Sequence, residues 1–273
     1  MRIMDLPLEE KLEEGRPHMV VYLQDKMPAD PEDYCFPAVL VCPGGGYTHL
    51  SPREAEPVAL AFAAKGFQVF VLYYSLLPKT LPQPLLDGAK AMNLIRDHAK
   101  EWDVDPHKVA VCGFSAGGHL AAMLSTLWRE PVIEEAGLSC EKTRPDAAIL
   151  GYAVVMAGED ETKPGRLAEK LGDINDPLVR KAAFLTKQVS EHNPPTFLWH
   201  TAADQTVPVA NSLLMAKALA DHQVPFELHV YPAGAHGLAL ALRRTSGGDP
   251  AGELPEVAGW MGLCCDWLKR TMK

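Results

Sequence analysis

Hydrophobic positions along the chain fall into short continuous runs separated by longer stretches with helical spacing. Residues 18–23, 38–42 and 67–74 are runs rich in β-branched and aromatic side chains, with little polar alternation. Runs of that kind are expected of strands covered on both faces. Between them, residues 51–65 read as a helix, with Ser51 as N-cap, Pro52 at its first position and Gly66 to end it. A second helix is expected at about 85–102, where Leu85, Ala89, Met92 and Ile95 or Leu94 share a face. Asp105-Pro106 marks a turn into a strand at 108–113. The helix expected after it is apolar nearly all round (Leu120, Ala121, Ala122, Met123, Leu124), so it belongs at the centre of the protein.

Residues 147–155 read as another interior strand. The pattern then changes. From about 158 to 193 the chain is charged and dotted with glycine, with two or three short amphipathic pieces, too long for an ordinary connection between helix and strand. Strand–helix alternation resumes with a strand at 196–201, a helix at 208–222, a strand at 226–231 and a last helix at about 253–269. Regular alternation of this kind predicts an α/β protein with a mainly parallel, doubly wound sheet and helices on both faces. Residues 1–273 are expected to form a single domain, with residues 158–193 as a small cap insertion over the sheet end.

Composition narrows the function classes. The chain has 273 residues, 47% hydrophobic and 22% charged, which is ample material for a large core. Its formal net charge of −9 disfavours a nucleic-acid surface, which would need a basic stripe. The first 17 residues are acidic without an apolar core, so no signal peptide is expected, and no run is long enough to span a membrane. Cys42 and Cys112 fall inside buried strands, and Cys35, Cys140, Cys264 and Cys265 show no metal-type pairing. Free thiols in a reducing compartment, the cytoplasm, are the expectation.

The candidate chemistry centres on Val109-Ala-Val-Cys-Gly-Phe-Ser115-Ala-Gly-Gly-His-Leu120. Gly113 and Gly117 flank Ser115 at minus two and plus two. A serine raised on a sharp strand-to-helix turn needs small residues at those positions, and the next backbone N–H then lies at a helix N-terminus. A serine hydroxyl is a poor nucleophile unless a base takes its proton and an acid orients that base. In a parallel sheet such partners meet at the carboxyl ends of strands. Asp204 follows the strand ending at Thr201, and His236 follows the strand ending at Tyr231. Asp204 alone could be a helix N-cap, but the order Ser…Asp…His is that of an acyl-transfer site on an α/β sheet.

His18, His119, His200 and His229 have no comparable support from strand end and chain order and read as structural or surface residues. His49 is close enough to a glycine run to line a pocket, while Asp160, Asp173 and Asp176 belong to the variable insertion. An oxyanion needs preorganised donors. Ala116 N–H is one, and the loop Gly44-Gly45-Gly46 after the strand ending at Cys42 is the source of others. A phosphate loop is the rival reading of those glycines, but no Lys-Ser/Thr follows them and no G-x-G-x-x-G is present.

The motifs PGGGY, GFSAGGHLA, PPTFLWHTAADQTVPVANS and YPAGAHGL, in this order over about residues 38–267, resemble the α/β-hydrolase superfamily. Within it the chain is similar to small esterases akin to acetyl-xylan and other carbohydrate esterases, related to prolyl-oligopeptidase-type hydrolases. The resemblance implies catalytic Ser115, Asp204 and His236, and oxyanion donors at Gly45, Gly46 and Ala116. It also implies a serine carboxylesterase acting on short acyl esters, acetyl above all and carbohydrate esters among them. Pro43 stands where many lipase-like relatives have histidine, and Tyr74-Ser75-Leu76 where they often have Tyr-Arg-Leu, which favours the carbohydrate-esterase branch. No cofactor and no metal is expected, and the partner is a small-molecule ester, with neither nucleic acid nor membrane and with room for a homo-oligomer. Leu171 and Phe184 of the insertion are expected to suit a short acyl group. A peptidase or amidase of the same fold is the second reading, set back because no propeller domain precedes the hydrolase. A non-catalytic binding protein is the third, and an intact Ser, Asp and His in order speak against it.

Overall fold

The computed structural model describes residues 1–9, 16–160 and 163–273. The chain enters through β1 (Arg2–Pro7) and β2 (His18–Leu23), an antiparallel pair, and continues into β3 (Phe36–Cys42). β1 was not expected from the hydrophobic pattern. It is an edge strand with charged Arg2 and Asp5 and little burial, the usual composition of an edge that must not pair with other chains.

Residues 51–65 do not form one helix. A 3₁₀ turn at Pro52–Glu54 precedes α1 (Glu56–Ala63), because Ala55 takes φ −99°, ψ −109° and interrupts the ladder. Ser51 makes no capping bond through its side chain. β4 (Gln68–Tyr73) and α2 (Gln83–Asp97) follow, with Leu85, Ala89, Met92 and Ile95 buried as their spacing predicts. β5 (Val104–Phe114) is longer than expected and contains Asp105-Pro106, so the turn lies before it. Its register with β3 is irregular where Phe36 and Ala38 pair across, a place where a proline can sit within a strand.

α3 (Ser115–Thr126) begins at the residue after β5 and is followed by the short helices α4 (Pro131–Glu135) and α5 (Cys140–Thr143). β6 (Ala147–Gly151) stops earlier than the run to 155 suggests, because Tyr152 takes φ +35° and turns the chain out of the sheet. Then come the two-stranded β7 (Gly158–Asp160) and β8 (Lys163–Pro164), α6 (Arg166–Leu171) and α7 (Pro177–Ala183). Residues 161–162 of the expected insertion lie outside the described residues. β9 (Thr196–Thr201), α8 (Ala210–Asp221) and β10 (Phe226–Tyr231) resume the alternation. The last helix divides at Gly259 into α9 (Pro255–Ala258) and α10 (Trp260–Thr271).

The eight-stranded sheet has the order β1-β2-β4-β3-β5-β6-β9-β10, parallel from β4 to β10. Each face carries its own core. Leu40, Phe70, Val111 and Leu150 pack with Leu85, Met92 and Leu120 of α2 and α3. Val39, Val69, Cys112 and Ile149 pack with Phe62 of α1 and Trp260 and Leu268 of α10. Alternate residues of one strand therefore enter opposite cores, which is the cause of the continuous apolar runs. Strands β3, β4, β5, β6, β9 and β10 point the same way, so the loops after β3, β5, β9 and β10 gather at one sheet end.

Candidate active site

The turn at Ser115 is dictated by contacts too close for side chains. A Cβ on Gly113 would lie 2.1 Å from the Gly117 oxygen, and one on Gly117 would lie 2.0 Å from the Cys42 oxygen. Three chain segments, the ends of β3 and β5 and the first turn of α3, thus meet with backbone against backbone. Ser115 itself takes φ +53°, a region costly for a residue with a Cβ, and the fold around it holds it there.

Asp204 and His236 reach this serine from the loops after β9 and β10. His236 Nδ1 lies 2.6 Å from Asp204 Oδ2, and His236 Nε2 lies 2.8 Å from Ser115 Oγ. An ionised carboxylate only accepts, so Nδ1–H donates to Asp204; in the neutral ring Nε2 then accepts from the serine hydroxyl. The arrangement can carry the serine proton onto a ring whose resulting positive charge faces a buried carboxylate. The Asp204 side chain is 1% exposed and that of His236 18%, so solvent reaches the base and not the acid.

Burial by itself would raise the Asp204 carboxyl. Hydrogen bonds from His200 and His236 and from the backbone N–H of Val207 outweigh it and hold the group well below the usual carboxylate range. Asp204 Oδ1 accepts from the N–H groups of Thr206 and Val207 at 2.8 and 2.9 Å. Asp204 is not the N-cap of α8, whose cap position is Val209; its second oxygen closes a local turn while the first meets the histidine.

The glycine loop after β3 lies against the serine. Gly44 N–H donates to Glu54 Oε2 at 2.7 Å, whereas the N–H groups of Gly45 and Gly46 meet no acceptor among the described residues. Gly45 has φ +133°, and a Cβ there would lie 2.0 Å from the His49 oxygen, so only glycine fits. Ala116 N–H belongs to the first turn of α3, where no helical acceptor exists. His49 is exposed and hydrogen-bonds Thr48 Oγ1 at 3.2 Å.

Two other histidines, His119 and His200, are buried and structural. His119 is fully buried between Tyr47 Oη and the Ala182 oxygen, and burial lowers its pKa to about 4. His200 is fully buried between Ser212 and the Val207 oxygen, and its Nε2 also lies 3.4 Å from Asp204 Oδ2. Lys170 of α6 donates to the Gly46 oxygen at 2.9 Å, joining residues 166–171 to the glycine loop. Leu171 and Phe184 do not line an open acyl site: each is 1% exposed, Leu171 within the main core and Phe184 packed with Ala157, Ala168 and Ala183. Their role is to seat this stretch of chain. A largely apolar cleft of about 770 Å³, walled by Val154, Met156, Leu167, Val207 and Leu214, opens beside it. Val154 N–H bonds the Ser115 oxygen at 3.3 Å, and Val207 N–H bonds Asp204, so the cleft adjoins both.

Sequence reasoning missed Glu54, Tyr152 and His200 as neighbours of the site. Tyr152 packs edge-on against the His236 ring at 5.0 Å. Only the nearness of Glu54 to the glycine run and of Tyr152 to a strand end could have drawn attention to them. Among the described residues no group of three or more His, Cys, Asp or Glu side chains could hold a metal ion, and no helix is long and apolar enough to cross a membrane.

A mostly parallel, doubly wound sheet with a serine turn after β5, a carboxylate after β9 and an imidazole after β10 is the α/β-hydrolase fold. Residues 23–219 match the BD-FAE family, and the chain belongs to that family. Endo-1,4-beta-xylanase B of Butyrivibrio fibrisolvens is 33% identical over 243 residues, which cover 87% of this chain and 37% of that protein. Acetylxylan esterase of Xylanibacter ruminicola is 29% identical over 233 residues, 84% of this chain and 45% of that protein. The chain therefore spans less than half the length of these curated relatives. Among solved structures, the acetyl ester-xyloside bifunctional hydrolase from Caldicellulosiruptor lactoaceticus is similar at a TM-score of 0.81 and 36% identity, covering 98% of this chain and 96% of that one.

Proposed function

We propose that the chain is a serine carboxylesterase that removes short acyl groups, acetyl above all, from esters of carbohydrates. The observation that carries the reading is the unbroken series from Ser115 Oγ to His236 at 2.8 Å and from His236 to Asp204 at 2.6 Å. Ser115 attacks the ester carbonyl as His236 takes its proton. Asp204 holds the ring in the tautomer that can do so and faces the imidazolium that forms. The oxyanion is held by the N–H groups of Ala116, Gly45 and Gly46. Collapse of the tetrahedral intermediate expels the alcohol, which takes the proton from His236, and leaves an acyl-serine. Water then attacks with His236 again as base, releasing the acid and restoring the hydroxyl.

These steps use only side chains, backbone amides and water. The acetylxylan esterase and the acetyl ester-xyloside hydrolase described above support carbohydrate esters as the substrate class. Residues 158–193 act as a cap in this reading, supported by the Lys170 contact with Gly46. The six unpaired cysteines suit a reducing compartment, in keeping with a cytoplasmic site of action.

The test is a panel of acetylated xylo-oligosaccharides, p-nitrophenyl esters of increasing chain length and aminoacyl amides, assayed with wild type and Ser115→Ala. Turnover of acetyl esters that disappears in the variant supports the reading. Preferred turnover of the amides would replace it with a peptidase of the same fold, and turnover retained by Ser115→Ala would end it.

A further inference from the structure

We propose that Glu54 and Tyr152 are a positioning pair that ties the glycine loop to the histidine loop, so that oxyanion donors and base are set against Ser115 as one unit. The inference rests on the esterase reading above and adds two residues to it. Glu54 lies in the 3₁₀ turn after the glycine loop and is 2% exposed. Its Oε2 accepts from Gly44 N–H at 2.7 Å, and its Oε1 accepts from the Tyr152 hydroxyl at 2.7 Å. The Tyr152 oxygen in turn accepts from Ala239 N–H at 2.9 Å, and Ala239 lies three residues beyond His236. One carboxylate and one phenol thereby join the loops after β3, β6 and β10.

Two members of this chain of bonds, Gly44 and Tyr152, lie against the reacting groups. A Cβ on Gly44 would lie 2.9 Å from Ser115 Cβ, so the loop that Glu54 holds is pressed against the serine. With Gly44 N–H engaged by Glu54, those of Gly45 and Gly46 are the ones left to meet an oxyanion. At the other end, the Tyr152 ring stands edge-on to His236 at 5.0 Å, and Tyr152 is held at φ +35°, outside the regions a tyrosine prefers.

A carboxylate stands here because two buried donors need an acceptor each. Burial raises the Glu54 carboxyl above its ordinary range despite the bonds from Tyr152 and Gly44 and the attraction of His236. The charged form is thus less comfortable in the fold than in water. Glutamine would fill the same space without a charge, but it cannot accept from both an N–H and an O–H with its two terminal atoms. The site keeps an acceptor on each side.

The experiment compares wild type, Tyr152→Phe, Glu54→Gln and the double variant. Three quantities are measured: steady-state turnover of p-nitrophenyl acetate, the rate of Ser115 phosphonylation by a p-nitrophenyl alkylphosphonate, and the thermal midpoint. Each single variant should lose about tenfold or more in kcat with KM within about twofold of wild type. Phosphonylation should slow by a similar factor, and the midpoint should stay within a few degrees. The double variant should lose no more than the worse single one, because the two residues act as one unit. Tyr152→Phe removes a single hydroxyl and keeps the ring, so it decides the matter if Glu54→Gln does not fold.

Either single variant with kcat within about twofold of wild type overturns the proposal, as do losses that multiply in the double variant. So does a loss confined to KM, which marks uniform binding, or one that follows a midpoint lowered by about 10 °C or more, which marks a purely structural part. Phosphonylation needs the serine, base and oxyanion geometry but no ester turnover, so it reads the pair even if the substrate class is wrong.

Discussion

The serine turn and the histidine loop face each other across the site, yet they are held by different physics. The turn lies between β3 and β6 in the middle of the sheet, and its shape follows from backbone atoms packed within 2.0 to 2.1 Å of where a Cβ would be. The histidine loop follows β10, an edge strand whose residues are half-buried or exposed. Leu238, Ala239, Leu240 and Ala241 seat its far side in the core, and around the histidine its ties are hydrogen bonds: His236 to Asp204, Thr201 Oγ1 to the Gly234 oxygen at 2.8 Å, Trp260 Nε1 to the Ala239 oxygen at 2.9 Å, and Ala239 N–H to the Tyr152 hydroxyl. Steric fixation cannot be relaxed in parts, whereas a set of hydrogen bonds can be loosened one at a time. Substitutions in the turn should therefore cost the fold, and substitutions around the histidine loop should cost rate.

The largest effect is expected on the polar side. His236→Ala should lower kcat for p-nitrophenyl acetate by about 10⁵-fold or more with the thermal midpoint nearly unchanged. Asp204→Asn should follow at about 10⁴-fold, since the amide no longer fixes the tautomer. The same variant has a signature in stability. The native Asp204 carboxyl sits below its usual range, so the unfolded chain takes up the proton first as pH falls. Wild type should lose stability as pH drops through about 4 and below, and Asp204→Asn should lose less over that window, as read by urea midpoints at several pH values.

On the steric side, Gly117→Ala puts a Cβ 2.0 Å from the Cys42 oxygen. It should cost about 3 kcal/mol or more, seen as a large drop in urea midpoint or as insoluble protein. A Gly117→Ala enzyme with the wild-type midpoint would break the contrast between the two loops. The smallest expected effect is Thr201→Val, which removes one tie on the histidine loop. It should cost about 1 kcal/mol or less in stability, with a several-fold loss of kcat in the p-nitrophenyl acetate assay. A larger effect on stability than on rate would contradict the account of that loop.

The two kinds of fixation also explain what could be read from the chain beforehand. Strands 196–201 and 226–231 were legible to the residue because both faces or strong flanking turns mark them. Ser115, Asp204 and His236 stand out because spacing and strand ends are written locally. The structure brings all three together. Glu54 and Tyr152 are 98 residues apart in the chain, and no local pattern links a glutamate in a helix-like stretch to a tyrosine at a strand end. The expected 51–65 helix breaks at Ala55, next to that same inward-facing glutamate, and the early end of β6 comes from Tyr152 leaving the sheet. β1 escaped notice because an exposed edge strand has no buried face to impose a pattern. Leu171 and Phe184 were apolar for packing, and a sequence does not distinguish a residue that seats a segment from one that lines a cavity.

The central claim is that Ser115 is the nucleophile. It is tested most directly by treating the protein with a fluorophosphonate, measuring intact mass and residual p-nitrophenyl acetate turnover together, and mapping the modified peptide. A nucleophilic Ser115 gives one adduct per chain, located on Ser115, with turnover falling in proportion to modification and no adduct on Ser115→Ala. Complete loss of turnover with the adduct on another residue, or full turnover after Ser115 is modified, would contradict it.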